Sequence, residues 1–434
     1  MIIKARREIK NGRFKSNMKA WRKTKLSELT LKITDGKHGD CENEMNSGYY
    51  FVSCKDIKDK KINYEKARQI KKIDFDETAK RTNLESGDIL LTNSGTIGRL
   101  AIAEDINLTK RTTFQKSVAI IKPNKKIIFP EFLYYNLLAN KKILIETAVG
   151  TTQQNLLLKD IKDFMICICG MDEQKAIAKI LSDLDAKIEL NQKMNKTLEA
   201  IAQTIFKHWF IDFEFPNKDG KPYKSSGGEM VDSELGEIPE GWEVKKIFEV
   251  GTLKNGINYT REERGEKEIY IVNVRDVANN KFIIKDDLAV IKLNPNKYEE
   301  YLLNQNDIVI ARSASPGESS LILGDIDNVI HSGFTIRYRL DNSYLKLYMY
   351  MILQNSKNIL SRYSVGTALK SVNQATIGNI QFIMPTIDIL IKFNSNYIFN
   401  KIGSNLLESK ALFTIRDFLL PKLMSGKIRV PLED

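Results

Sequence analysis

Side chains suited to the edges of bases and to phosphates recur in short polar loops along this chain. Arginine and lysine match the acceptors of guanine, and asparagine and glutamine match the acceptor and donor of adenine. Small hydroxyls, amides and backbone N–H groups suit phosphate oxygens. The first half offers Lys37 and His38, the turn Asn93-Ser94-Gly95-Thr96, Arg99, Lys110, Arg111, and the run Thr151-Thr152-Gln153-Gln154. In the second half Lys254, Asn255, Arg275, Arg312, Ser313, Lys370, Asn373 and Gln374 are expected to hold comparable positions. Each residue alone is also compatible with ordinary solvated surface, so the weight falls on their arrangement.

Catalytic signatures are missing. The chain has no Asn/Asp-Pro-Pro-aromatic tetrapeptide for methylating a flipped adenine, no Gly-x-x-x-x-Gly-Lys-Ser/Thr phosphate loop and no nuclease constellation. Asn294-Pro295-Asn296 lacks the required aromatic. Cys41, Cys54, Cys167 and Cys169 form no Cys-x-x-Cys pair, and His38, His208 and His331 are scattered, so a structural metal is not expected. Cys167 and Cys169 alternate with Ile166 and Ile168 and read as two thiols on one face of a buried strand. These residues point to binding, with no metal or cofactor on this chain.

The elements that position the loops come in two copies. Tyr49-Tyr50-Phe51-Val52-Ser53-Cys54-Lys55-Asp56-Ile57 matches Ile269-Tyr270-Ile271-Val272-Asn273-Val274-Arg275-Asp276-Val277 class by class, an alternating strand ending in a basic–acidic pair. Trp21 pairs with Trp242, Asp88-Ile89 with Asp307-Ile308, Val149-Gly150-Thr151 with Val365-Gly366-Thr367, and Asn191 with Asn405. The order is kept and the spacing drifts smoothly, as duplication requires.

Each copy ends in a helical pattern. Ile177, Leu184, Asn191, Leu198 and Ile205 recur every seven residues in a stretch, 172–209, without proline or glycine. Ile391, Ile398, Asn405, Leu412 and Leu419 repeat that ladder before Pro421 and Gly426 end it. The central asparagines, Asn191 and Asn405, would lie level in a helix pair and fix its register, unless these are two ordinary core helices with solvent-facing amides. The first helix would be about 57 Å long, enough to act as a spacer. Trp209, Phe210, Phe213 and Phe215 read as a packing corner rather than a base-stacking platform.

Length and composition agree with a multi-domain globular protein. The 434 residues are 42% hydrophobic and 28% charged, and no apolar run approaches the ~20 residues that span a bilayer. Without a signal peptide, a cytoplasmic protein is expected. The net charge of +12 favours a polyanionic partner, although half of that excess lies in the first twenty residues. Met18 opens what reads like a domain start, which would make residues 1–17 a dispensable arm or an over-extended start.

With this plan the chain resembles a specificity subunit of a type I restriction-modification system from Met18 onward. The resemblance rests on Ile33-Thr34-Asp35-Gly36-Lys37-His38-Gly39, on Gly87-Asp88-Ile89-Leu90 leading to Asn93-Ser94-Gly95-Thr96-Ile97-Gly98, on Gly150-Thr151-Thr152-Gln153-Gln154-Asn155, on Asp172-Glu173-Gln174, and on Phe206-Lys207-His208-Trp209-Phe210-Ile211-Asp212-Phe213. The second half departs from it at Ala314-Ser315-Pro316-Gly317 and at Thr386-Ile387-Asp388.

Such a resemblance implies an α+β fold with two similar mixed α/β target-recognition domains, separated by two long antiparallel coiled-coil helices. The expected division is a basic extension 1–18, a recognition domain 19–170, a helix 171–215, a connector 216–240, a second recognition domain 241–385, a second helix 386–426 and a tail 427–434. It also implies a non-catalytic subunit that reads a bipartite double-stranded DNA target. The helices would dock two methyltransferase subunits, restriction subunits would join them, and S-adenosylmethionine, ATP and Mg would sit on these partners. The rival readings are a self-contained DNA methyltransferase or nuclease with an unrecognised site, and a coiled-coil adaptor that does not bind DNA.

Overall fold

The computed structural model describes residues 20–431 apart from 59, 151–153, 261–264, 306, 363–370 and 396. The chain divides into two compact units. One is discontinuous, running to Lys187 and resuming at Leu412; the other is the continuous stretch Ile188–Ala411.

In the discontinuous unit an antiparallel sheet takes the strands Thr30–Asp35, Val118–Pro123, Ile89–Thr92 and Leu100–Ile102 in that spatial order. A second sheet places Tyr50–Val52 between Arg68–Gln69, antiparallel, and Thr112–Phe114, parallel. The other unit repeats the plan. Gly251–Asn255, Thr335–Leu340, Asp307–Ala311 and Ser319–Leu323 correspond strand for strand, with Phe282–Ile284 added at the edge. Lys267–Val272 lies between Ala289–Leu293, antiparallel, and Val329–His331, parallel. The central strands are buried on both faces, which explains why they read as continuous apolar runs.

Buried ion pairs repeat as well. Lys122 Nζ donates to Asp88 Oδ2 at 2.6 Å, and at the equivalent strand positions Arg339 grips Asp307 through two bonds of 2.8 and 2.7 Å. Burial pushes the Asp88 carboxyl up, opposed by the hydrogen bond from Lys122. The basic–acidic pair at the strand ends is a turn device. Asp56 and Asp276 each accept a hydrogen bond at 2.8 Å from the backbone N–H three residues earlier, of Ser53 and Asn273.

The first long helix is Met171–Phe206, closed by a wider turn, Lys207–Ile211. Its opening residues are tied down: Glu173 is buried and receives Arg429 Nε and Nη2 at 2.5 and 2.8 Å, while Gln174 bonds the backbone of Phe129 and Cys169. In the second half an exposed Ile387 stands in the place of that glutamate. There the expected single helix is interrupted. Ile387–Asn394 and Ile398–Met424 are separate helices, because Asn394-Ser395-Asn396 combines poor helix formers. Pro421 does not end the second of these; it sits inside the last turn.

The helices pair antiparallel within each unit, Asp185 facing Arg416 in one and Asn195 facing Ile402 in the other. Asn191 and Asn405 are buried and level, yet their side chains do not bond each other. Asn405 Nδ2 donates to Asn195 Oδ1 at 2.8 Å, and Asn191 Nδ2 donates to Glu408 Oε2 at 2.9 Å and to Ser409 Oγ at 3.3 Å. Each central asparagine therefore reaches the residue one helical turn beyond its counterpart. Replacing Asn405 by leucine leaves the buried Asn195 Oδ1 without that donor, and a loss of about 1–3 kcal/mol is expected in urea unfolding; an unchanged midpoint would show that the layer contributes nothing.

The aromatic corner is a packing element. Phe210 lies 4.7 Å from Tyr348, and Phe215 stacks on Trp242 at 4.9 Å. The connector is more ordered than its turn-rich composition implies, carrying the hairpin Met230–Ser233 with Gly236–Pro239. The cysteine expectation needs correcting. In the edge strand Met165–Ile168 it is Ile166 and Ile168 that point inward, Cys167 is half-buried, and Cys169 lies beyond the strand end. Burial and the Glu173 carboxylate push the Cys169 thiol up to about 12.

Candidate nucleic-acid interface

In the discontinuous unit four loop segments are laced together by their backbones. Lys37 bridges Gln115, Asn93 N donates to Ser117 O at 3.0 Å, Leu156 N donates to Asn93 O at 2.8 Å, and Ser94 bridges Asn155. The other unit repeats the lacing bond for bond. Ile257 bridges Ser332, Arg312 N donates to Phe334 O at 3.0 Å, Val372 N donates to Arg312 O at 2.9 Å, and Ser313 bridges Ser371. Gly36 and Gly256 permit the close approach: a Cβ there would lie 2.0 Å from Phe114 O and 2.2 Å from His331 O.

This lacing corrects the expected correspondence. Lys37 and His38 match Ile257 and Asn258, three residues beyond Lys254 and Asn255. Likewise Asn373 and Gln374 stand where the first unit has Leu157 and Leu158. The side chain of Asn258 does not announce this match in the sequence; Gly256, two residues earlier and aligned with Gly36, is the signal that does. Phe334 is exposed on the same turn, although an aromatic between two strands reads as core in the sequence.

The turns survive their change of sequence. Gly95 and Gly98 have φ of +74° and +82°, and Ala314 and Gly317 adopt +61° and +88°. The closing bonds are shared: Gly98 N donates to Thr92 O at 2.8 Å, and Gly317 N to Ala311 O at 3.1 Å. A left-handed alanine costs about 1 kcal/mol, so the frame tolerates Ala-Ser-Pro-Gly at a small penalty.

The candidate side chains differ in what holds them. Lys37 Nζ donates to Glu77 Oε2 at 3.3 Å, and the exposed His38 places Nε2 3.1 Å from Asp35 Oδ2. Asn93 is buried, and among the described residues its Oδ1 has no hydrogen-bond partner. Ser94, Gly95 and Thr96 form the turn itself. Arg99 points its guanidinium at the backbone, donating to Cys54 O at 3.1 Å, which makes it a brace for the neighbouring loop.

Lys110 and Arg111 are not brought into this cluster. They lie on the turn Thr109–Arg111, at the opposite end of Thr112–Phe114 from Gln115, where Lys110 lines a cleft of about 470 Å³. Gln154 is exposed beside Asn155. Thr151, Thr152, Gln153 and Lys370 lie outside the described residues.

In the second unit Arg312 is half-buried and donates through Nη1 to Gly333 O at 3.2 Å, with Ser313 beside it. Lys254 is engaged with Glu300 at 2.7 Å and lies over the Tyr301 ring. Hydrogen bonds from Lys254 and Tyr301 hold the Glu300 carboxyl below its usual range. Arg275 is exposed on Val274–Asn279. Asn373 caps the helix Gln374–Gly378, and the Gln374 amide brackets Leu253 O and the Asn255 N–H.

The sequence profile of the type I restriction modification DNA specificity domain matches residues 10–200 and 239–415. The chain belongs to this specificity family. Among curated relatives, the specificity subunit of the MjaIX type I restriction enzyme of Methanocaldococcus jannaschii is 32% identical over 357 residues, covering 79% of this chain and 78% of that protein. The HindI specificity subunit of Haemophilus influenzae is 26% identical over 448 residues, covering 87% and 94%. The crystal structure of the type I S subunit from M. genitalium matches the fold with a TM-score of 0.61 at 17% identity, over 94% of this chain and 97% of that one. These specificity-subunit relatives support neither of the rival readings. Among the described residues no helix is long and apolar enough to cross a membrane.

Proposed function

We propose that the two laced loop clusters each read one half of a bipartite double-stranded DNA target, and that this specificity subunit contributes no catalytic group of its own. One observation carries the reading. The same backbone frame occurs once in each unit and displays different side chains at matched positions: Lys37 against Ile257, His38 against Asn258, Asn93 against Arg312. A constant frame with divergent tips suits two readers of unlike half-sites, because backbone geometry fixes position while side chains discriminate base edges.

The recognition domains would correspond to 19–170 and 241–385. The paired helices set the distance between half-sites, the buried asparagine layer holds their register, and two methyltransferase subunits dock on them. S-adenosylmethionine, ATP and Mg belong to those partners and to restriction subunits joining the same cytoplasmic assembly.

Arg312 provides the test. In the complex assembled with methyltransferase subunits, Arg312→Ala is expected to relax discrimination in the second half-site alone. A bidentate base contact supplies about 1–3 kcal/mol, or roughly five- to 150-fold in the ratio of cognate to mismatched duplex. Equal loss on every duplex would assign Arg312 to phosphate, and no change would remove this loop from the interface.

A further inference from the structure

We infer that Phe334 is an apolar reading element of the second half-site, contacting the 5-methyl group of a thymine. The inference rests on the proposed role of the loop clusters. Phe334 is 63% exposed, although Gly333 before it and Thr335 after it are both buried. Water therefore surrounds one phenyl ring on an otherwise packed turn.

That turn is held from three sides. Gly333 N donates to Ile257 O at 2.7 Å, Arg312 N donates to Phe334 O at 3.0 Å, and Thr335 N donates to Ser332 O at 2.8 Å. Arg312 Nη1 adds a bond to Gly333 O. The Asn258 side chain packs so closely on Gly333 that a Cβ there would lie 2.0 Å from Oδ1. A ring on so constrained a backbone loses little conformational entropy when a ligand covers it, which is how rigid aromatic side chains serve as anchors.

The neighbours indicate what covers it. Phe334 shares its lacing with Arg312, a residue type suited to guanine, and with Asn258, suited to adenine. The base-edge feature such a set lacks is the thymine methyl, which apolar side chains recognise in the major groove. The first unit differs at this point. Ser117 occupies the matched position, and its Oγ is turned back to accept the Cys54 N–H at 3.2 Å. An apolar reader is thus present in one cluster and absent from the other, on the same frame.

The test uses the full chain assembled with its methyltransferase subunits on a duplex carrying its mapped target. Each thymine of the second half-site is replaced in turn by uracil, which removes only the methyl group. With wild-type protein, uracil at one position is expected to weaken binding about fourfold, the value of one buried methyl. Phe334→Ala should bind the thymine duplex at least fourfold more weakly and lose all sensitivity to that uracil, while Phe334→Leu keeps part of it.

Equal uracil sensitivity of wild type and Phe334→Ala at every position, or no sensitivity anywhere, overturns the inference. Weaker assembly of Phe334→Ala with methyltransferase subunits in the absence of DNA overturns it differently, making the ring a protein contact. Arg312→Ala on the same duplexes separates the two levels. If it relaxes the second half-site while Phe334→Ala does nothing, only the thymine inference fails; if neither matters, the reading of the loop cluster fails with it.

Discussion

Arg339→Met is expected to destabilise the continuous unit by roughly 2–4 kcal/mol, less than the full cost of breaking a wholly buried ion pair because the Arg339 side chain is one-third exposed. The Asp307 side chain is fully buried and accepts both Arg339 bonds, and its remaining described donor is the Asn304 N–H at 2.7 Å. Without the guanidinium a desolvated carboxylate is left on a central strand. In a unit of this size the loss corresponds to a fall in Tm of roughly 4–16 °C. The double variant Arg339→Met with Asp307→Leu should recover most of it, because apolar packing can substitute for a whole buried pair more readily than for half of one. Equal melting of single and double variants would show that the charge left behind is not the cause.

Acid should unfold the same unit through His331. The imidazole is wholly buried beside the guanidinium groups of Arg337 and Arg339, and its Nε2 has no partner among the described residues. Burial, then the charges of Arg337, Lys254 and Arg339, lower its pKa to about 3 from 6.5. Above pH 6.5 the ring is neutral in folded and unfolded chains alike and makes stability no steeper with pH. As pH falls below 6.5 the unfolded chain binds a proton that the folded chain refuses until about pH 3, so stability is lost across that window. The difference amounts to about 4–5 kcal/mol by the lower end.

His331→Phe is expected to remove this share of the acid slope, because phenylalanine already fills the matched position as buried Phe114 in the other unit. It also removes the orphaned nitrogen, so neutral-pH stability should hold or rise. Urea midpoints between pH 4 and pH 7.5 give the comparison. An identical pH slope for the variant and the wild type would refute the assignment.

The duplication was readable because matched strands must bury the same alternation, and Asp88 and Asp307 mark one position in both copies through the same buried ion pair. The heptad ladders were readable for the same reason, and they placed Asn191 and Asn405 level. The partners of those amides were not readable, since a helix pattern names a face without naming which residue one turn away completes a hydrogen bond. The helix break after Asn394 was written in weak propensities that the heptad spacing outweighed.

At the loops, side-chain chemistry misled where backbone geometry would have served. Lys254 looked like Lys37, yet the glycine at Gly256 fixes the match and puts Ile257 and Asn258 there. Arg99 and Arg312 each commit Nη1 to a backbone carbonyl of their own chain, a contact that no loop composition announces. Exposure of a lone aromatic such as Phe334 depends on which strands flank its turn, and that emerges only from the fold.

The division of the chain into one continuous and one interrupted body has a consequence for its synthesis. Residues 188–411 can close on themselves as soon as they leave the ribosome, but the discontinuous unit waits for Leu420, Leu423 and Met424, which belong to its core. At about 5–20 residues per second, residue 424 emerges roughly 10–50 s after residue 187. Throughout that interval residues up to 187 present an unfinished apolar surface, so the later segment protects the earlier one, and a message stalled between them leaves the earlier segment as the one prone to aggregate.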